Sequence, residues 1–183
     1  IVYFDLETQK SFSAVGGGKH KAKMGMSVGV TYSTKTGKYH IYDEAHADDL
    51  VNQLLQADLV VGYNHIQFDY PVLQGYTIYD LASQTNNMDM MLDLEEKIGF
   101  RLKLDSVAKS SLKGSGKTAD GLDALKWWNE YKKTKDESFM MKIAEYCCYD
   151  VKVTKSVHEY GVENQSILYD DKSGEEVSVE VKW

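Results

Sequence analysis

The stretch Ile1-Val2-Tyr3-Phe4-Asp5-Leu6-Glu7-Thr8 decides the fold that the rest of the chain completes. It is apolar up to the first acid, which predicts a buried central strand over residues 1–6 rather than an edge strand. Asp5 and Glu7 are two residues apart, so on a strand both side chains leave the same face. They stand at the carboxyl end of the strand, where open α/β sheets place their ligand sites.

A second acidic motif follows a short apolar strand that is predicted over residues 59–63. The segment Asn64-His65-Ile66-Gln67-Phe68-Asp69 comes directly after this strand. Ligand-binding residues of such sheets follow the carboxyl ends of neighbouring strands. We therefore expect Asp69 to reach the same rim of the sheet as Asp5.

A third acidic position lies in a long helical pattern predicted from residue 136 to residue 160. Tyr146 and Asp150 are four residues apart, so they share one face of that helix. Phe139 and Ile143 lie on the same face and are expected to dock it against the sheet. An Asp on the inward face of an amphipathic helix needs a partner, because a buried charge is costly when it is alone.

Taken singly, each of these acids also fits a helix cap or a solvated surface charge. Taken together, Asp5, Glu7, Asp69 and Asp150 indicate one site. Crowded carboxylates repel one another and burial raises their pKa, so a fold that converges them needs a compensating cation. Oxygen ligands of this kind suit Mg²⁺ or Mn²⁺. Two such ions, roughly 3.5–4 Å apart, would partner all four carboxylates and support phosphoryl chemistry.

The remaining pattern predicts an α/β domain with one mixed sheet, because strands come first as a meander and then alternate with helices. A terminal β-hairpin is expected over residues 167–183, with a polar turn between its two strands. The predicted organisation is a domain over residues 1–161 and a hairpin appendage over residues 162–183. Further strands are predicted at residues 26–32, 39–42 and 86–90, helices at 50–55, 92–98, 104–112 and from 122, and loops at 9–23 and 113–121.

The three acidic motifs resemble those of the DEDD family of 3′–5′ exonucleases, within the ribonuclease H-like superfamily. The resemblance extends from residue 1 to about residue 160 and includes Asp89 and the segment 103–109. It implies a mixed five-stranded sheet flanked by helices. The histidine branch of the family has His five residues before the last Asp, where this chain has Glu145. The tyrosine branch, DEDDy, has Tyr four residues before it, and this chain has Tyr146 there.

The same resemblance implies a role for each residue. Asp5 would bridge two ions of Mg²⁺ or Mn²⁺. Glu7 and Asp150 would hold the ion that carries the attacking water, and Asp69 would act on the second ion, mainly through its waters. Tyr146 would orient the water rather than act as a base, because a phenol titrates far above neutral pH. The positions that would bind the terminal nucleotide are Thr8, Asn64 and Phe68.

The composition is that of a globular domain with local rather than general basic character. The 183 residues carry a net charge of −7, which argues against a broad basic surface for duplex binding. Two lysine-bearing stretches, residues 19–23 and 101–117, fit solvated loops as well as local contacts. Cys147 and Cys148 are adjacent, cannot easily pair, and predict free thiols in a reducing intracellular compartment, the cytoplasm. No segment has the length and hydrophobicity of a membrane span, and no signal peptide is visible.

Two other features are interpreted as non-catalytic. The sequence at residues 114–118 mimics the end of a phosphate-binding P-loop but has Ser111 where that loop needs glycine, so it is interpreted as a linker. The five histidines show no metal-ligand spacing. His65 is expected to line the site, and His158 to lie on the surface.

Three functions stay open on the sequence alone. The leading prediction is an exonuclease acting on a single-stranded 3′ end, of DNA or of RNA. The second is a non-catalytic nucleic-acid-binding module of the same fold within a larger helicase or polymerase protein. The start on Ile1 without a methionine suits a domain of a longer protein. The third is an endonuclease or strand-transfer enzyme, against which the helix with Tyr146 and Asp150 favours an exonuclease.

Overall fold

The described residues form a five-stranded sheet and a separate hairpin, with helices around them. The computed structural model describes residues 1–114 and 121–183, so the predicted linker at 113–121 lies largely outside the described residues. The strands of the sheet are β1 (Val2–Thr8), β2 (Met26–Ser33), β3 (Lys38–Asp43), β4 (Val60–Gly62) and β5 (Asn87–Asp89), and those of the hairpin are β6 (Ser166–Asp170) and β7 (Glu176–Glu180). The α-helices are α1 (Ala47–Leu55), α2 (Asp69–Leu73), α3 (Leu81–Gln84), α4 (Met90–Ile98), α5 (Leu104–Leu112), α6 (Gly121–Thr134) and α7 (Glu137–Asn164).

The sheet has the strand order β3-β2-β1-β4-β5, with β1 in the middle. β1 pairs antiparallel with β2 and parallel with β4, and β4 pairs parallel with β5. Parallel neighbours end at the same edge of a sheet, so the carboxyl ends of β1, β4 and β5 lie side by side. The predicted α/β fold with a mixed five-stranded sheet, flanking helices and a C-terminal hairpin is confirmed.

Alternation along β1 separates two hydrophobic cores, one on each face of the sheet. Tyr3 belongs to the core that contains the buried residues of α7, whereas Phe4 and Leu6 belong to the core built with α1 and α2. Asp5 and Glu7 have the same parity as Tyr3, so they leave β1 on the α7 side. The central strand therefore presents its two carboxylates to the long helix.

The helix α7 is 28 residues long and begins at a cap that the sequence itself supplies. The side chain of Asp136 accepts the backbone N–H of Ser138 at 2.9 Å, which satisfies a donor that the first turn would otherwise leave unpaired. Buried residues recur every three or four positions along α7, so one stripe of the helix faces the sheet. Tyr146 and Asp150 both belong to that stripe.

The C-terminal hairpin contributes buried residues to the core on the α7 side. Trp183, just beyond β7, lies over Gly161, where an added methyl carbon would come within 2.3 Å of the indole ring. The indole N–H donates to Asp93 of α4 at 2.7 Å. Gly161 makes room for the ring, and α7 continues past this residue to Asn164. The predicted division after Gly161 thus lies inside this helix.

Two local expectations are corrected by the structure. His158, predicted on the surface, is only 4% exposed, because it faces β1 and its Nδ1 lies 3.0 Å from the hydroxyl of Tyr3. Residues 9–23, predicted as a loop, contain short 3-10 segments at Ser13–Val15 and Gly18–Lys23, the second interrupted by a kink at His20. The 3-10 segments are too short to show a periodic pattern, and the burial of His158 depends on partners that are distant in the sequence.

Candidate metal centre at the end of β1

Three of the four predicted carboxylates meet near the carboxyl end of the central strand. Asp5 and Glu7 come from β1 and Asp150 from α7, and one ligand oxygen of each lies within 4.8 Å of the others. Asp150 is 6% exposed, whereas the two strand carboxylates are half-buried. Three carboxylate oxygens at this separation can surround one divalent cation, and such donors fit Mg²⁺ or Mn²⁺.

Asp69, the fourth predicted ligand, approaches β1 from the β4 side. β4 ends at Gly62, so within residues 1–114 and 121–183 no strand pairs with β1 at Leu6 on that side. Asp69 takes the place of the missing strand, because its Oδ1 accepts the N–H of Leu6 at 3.1 Å. Burial, followed by the charge of Asp5, raises the pKa of Asp69 well above its usual value. Asp69 therefore lies outside the three-carboxylate group, although it lines the same cavity.

Tyr146 stands one helical turn before Asp150 and hydrogen-bonds to it. Burial, followed by the charges of the three clustered carboxylates, raises the pKa of Tyr146 above that of an ordinary phenol. The hydroxyl therefore stays protonated at neutral pH and serves as a donor rather than as a base. Its ring lies edge-on to Trp127 of α6, with centroids 6.4 Å apart, which helps to fix its orientation.

A cavity of about 480 Å³ opens beside the carboxylates, and the predicted nucleotide contacts Thr8, Asn64 and Phe68 all line it. Asn64 has a φ of +69°, a left-handed conformation that Asn tolerates better than most residues. Its Oδ1 is buried and has no hydrogen-bond partner among residues 1–114 and 121–183. Phe68 meets Phe12 edge to face, with centroids 5.6 Å apart. An unsatisfied amide oxygen and an aromatic wall beside an acidic group suit a nucleotide.

Asp89, at the end of β5, holds the segment that carries Asn64 and Asp69. Its Oδ1 accepts the N–H of Asn64 at 2.8 Å, and its Oδ2 accepts the N–H of Ile66 at 3.0 Å. Oδ1 also accepts the N–H of Leu92 at 3.4 Å and so caps α4. The sequence signal for the cap is an Asp directly before a helix, but the two bonds to the earlier segment have no local signal.

His65, predicted to line the site, is instead fully buried beneath this segment. Its Nε2 lies 3.1 Å from Oδ1 of Asn87, and its Nδ1 lies 3.5 Å from Oδ2 of Asp89. Desolvation lowers the pKa of His65, while the charge of Asp89 opposes this. A side chain at Gly62 would come within 2.6 Å of the imidazole, so the glycine at the end of β4 gives the ring its space.

Cys147 is a neighbour of Asp5 that sequence reasoning did not assign to the site. Its Sγ lies 3.4 Å from the carbonyl oxygen of Asp5 and 3.5 Å from Oδ2 of the same residue. Burial, followed by the nearby carboxylates, raises the pKa of Cys147 well above its usual value. The thiol therefore stays protonated and donates a weak hydrogen bond to Asp5. The sequence signal that could have placed Cys147 near the site is its position three residues before Asp150 on the same helix.

The fold and the acidic group together define a class of protein, an α/β domain of the ribonuclease H type with a candidate metal site. The family model described as RNase_H superfamily matches residues 2–162, and the chain belongs to this superfamily. Among curated proteins, no sequence matches the chain. Within the described ranges, no helix has the length and apolar character needed to cross a membrane.

Proposed function

We propose that this chain is a metal-dependent 3′–5′ exonuclease of the tyrosine subclass, DEDDy, which hydrolyses the terminal phosphodiester bond of a nucleic acid by a two-metal-ion mechanism. The observation that carries the proposal is the approach of Asp5, Glu7 and Asp150 to within 4.8 Å, with Tyr146 hydrogen-bonded to Asp150. Glu145, where the histidine subclass has its His, is exposed. The tyrosine position is therefore the one that faces the carboxylates.

We infer two positions for divalent ions, one at the group of three carboxylates and one that Asp69 would share. Asp5, Glu7 and Asp150 would hold one Mg²⁺ or Mn²⁺, and Asp5 with Asp69 would serve the second. The buried carboxyl of Asp69, with its raised pKa, is a group whose ionised form a nearby cation favours. When bound, such ions lower the pKa of a water molecule and stabilise the charge that develops on the phosphate.

The protein side chains position the reactants. The Tyr146 hydroxyl, a donor at neutral pH, orients the attacking water next to Asp150. The buried Oδ1 of Asn64 accepts a hydrogen bond from the terminal nucleotide, which supplies the partner that this oxygen lacks among the described residues. Thr8 donates its hydroxyl to the carbonyl of Lys10 at 3.1 Å, so its oxygen lone pairs remain available as acceptors. Phe68 provides an aromatic face for the terminal base.

A degradation assay with a 5′-labelled single strand and Mn²⁺ tests the proposal. The expected result is a ladder that shortens one nucleotide at a time from the 3′ end. Asp150→Asn removes a ligand charge and abolishes the ladder, whereas Glu145→Gln makes the same change at an exposed position of the same helix and keeps it. A ladder that is equally strong in Asp150→Asn refutes the proposal. Deoxyribose and ribose strands, run side by side, identify the substrate sugar.

The non-catalytic alternative, a binding module within a larger helicase or polymerase protein, predicts a different outcome of the same assay. The wild-type protein would then bind the strand and leave its length unchanged in both Mg²⁺ and Mn²⁺. Binding is measured separately by fluorescence anisotropy, so that an inactive preparation is distinguished from a module that binds without cutting.

A further inference from the structure

The segment between β1 and β2 carries charge of one sign on an acidic protein. Residues 10–23, here named the basic arm, contain no Asp or Glu, although the whole chain has a net charge of −7. Four lysines lie in the arm, Lys10, Lys19, Lys21 and Lys23. None of them forms an ion pair with a carboxylate in the part of the chain that the structure describes. The arm is therefore a local source of positive potential.

The basic arm is fixed against the candidate metal centre. Phe12 of the arm lines the 480 Å³ cavity together with Asp5 and Glu7. The Nζ of Lys21 donates to the carbonyl of Gln67 at 2.6 Å, which ties the arm to the segment that follows β4. An added methyl carbon at Gly75 would come within 2.5 Å of the carbonyl of Ala22 in the arm, so the two backbones are in close contact. These contacts fix the arm, whose Ser11 and Phe12 line the cavity with the carboxylates and whose lysines follow in the same short segment.

The lysines of the arm divide into one that anchors it and three that face solvent. Lys21 is half-buried and engaged by Gln67, whereas Lys10, Lys19 and Lys23 are exposed. Lys19 also lines a second cavity of about 430 Å³, between the arm and α2. The arm thus contributes to the cavity with the carboxylates and to a second concave surface, which Lys19 and Lys21 line together with one carboxylate, that of Asp80.

We propose that the basic arm binds the phosphodiester backbone of the substrate strand next to its terminal nucleotide. The inference rests on the proposed nuclease function and adds the means by which an acidic protein retains a polyanion. Lysine ammonium groups contact phosphates as point charges, so the contact holds the strand without reading its sequence. The ligand is a single strand of nucleic acid, and the shared chemistry of DNA and RNA is the phosphodiester backbone.

Binding of a fluorescent oligothymidylate, measured by anisotropy in Ca²⁺ with Asp150→Asn as the background, tests the inference. The test variant is Lys19→Gln/Lys23→Gln. The control, Lys35→Gln/Lys38→Gln, makes the same change of charge in the β2–β3 turn and at the first residue of β3. This is the end of the sheet away from the carboxylates, because Ser33 pairs with Val2. Both exposed pairs lie outside the core. Circular dichroism checks that each variant is folded.

The expected result is a weaker salt dependence in the test variant alone. Loss of two phosphate contacts makes the slope of log K against log salt shallower by about 1.4, at about 0.7 per contact for single strands. Affinity falls equally for thymidylate and mixed sequences, and Lys19→Arg/Lys23→Arg restores it because the charge returns. Parallel titrations with ribose and deoxyribose strands show which of the two the arm retains.

Equal slopes and equal affinities in the test and control variants overturn the inference. The proposed nuclease function is checked separately with wild-type protein and the p-nitrophenyl ester of a 5′-nucleotide, a substrate with no further phosphates for the arm to hold. Hydrolysis of this ester together with unchanged strand binding in Lys19→Gln/Lys23→Gln refutes the arm and keeps the nuclease. Absence of hydrolysis of both ester and strand by the wild type refutes the nuclease itself.

Discussion

Replacing Asp89 by Asn tests whether this buried carboxylate holds the second motif in place. Two of its three hydrogen bonds go to Oδ1 and one, from Ile66 at 3.0 Å, goes to Oδ2. An amide keeps one oxygen, so its best orientation preserves the bonds to Asn64 and Leu92 and turns an N–H₂ group toward the N–H of Ile66. The loss of one charge-assisted bond in a buried site costs about 1.5–3 kcal/mol of the free energy of unfolding.

The measurement is urea unfolding followed by far-ultraviolet circular dichroism, with the slope of the transition checked for constancy. The matched control is Asp136→Asn. Asp136 also caps a helix, by accepting the N–H of Ser138 at 2.9 Å, but it is exposed. Asn caps as well as Asp, so the control changes stability by less than about 0.5 kcal/mol. If the two variants lose the same stability, the reasoning about the buried clamp is wrong.

Three further predictions address the helix α7 and its neighbours. Gly161→Ala gains about 1 kcal/mol of helix propensity but displaces the ring of Trp183 at a cost of about 2–3 kcal/mol. Thermal unfolding is therefore expected to show a net loss of stability. The control Gly121→Ala, at a position with open space around it, shows no such loss. Tyr146→Phe keeps the ring in place and lowers kcat about 100-fold with a much smaller change in KM, and steady-state kinetics that show equal changes in both would contradict a water-orienting role. Burial lowers the pKa of His158, so the unfolded chain binds more protons than the folded protein and the free energy of unfolding falls as the pH drops below about 6.5. Urea titrations of His158→Gln at several pH values are expected to show a smaller fall. An unchanged pH dependence would refute this source of acid sensitivity.

The larger elements of the fold were accessible to sequence reasoning because each has enough residues to show a period. The strand β2 carries apolar residues at a spacing of two, and the helices α5 and α7 carry them at spacings of three and four. The helix α3 has only four residues, and the 3-10 segments of the basic arm are similarly short. Neither is long enough for a periodic pattern of apolar residues to repeat. Their conformation depends on the elements against which they pack.

The sequence by itself determined the relations within single elements. The period of a strand places Asp5 and Glu7 on one face of β1, and the period of a helix places Tyr146 and Asp150 on one stripe of α7. Because neighbouring positions in a regular element have fixed relative directions, these pairs were visible before any tertiary contact was known.

Only the tertiary structure decided the relations between elements. Asp69 hydrogen-bonds to Leu6 because β4 ends at Gly62 and, among the described residues, no strand pairs with Leu6 on the side opposite β2. His158 is buried because Trp183 returns over α7 and stacks against it, with ring centroids 6.2 Å apart. Such contacts join residues that are far apart in the chain. Their geometry follows from the packing of whole elements, which no local sequence pattern encodes.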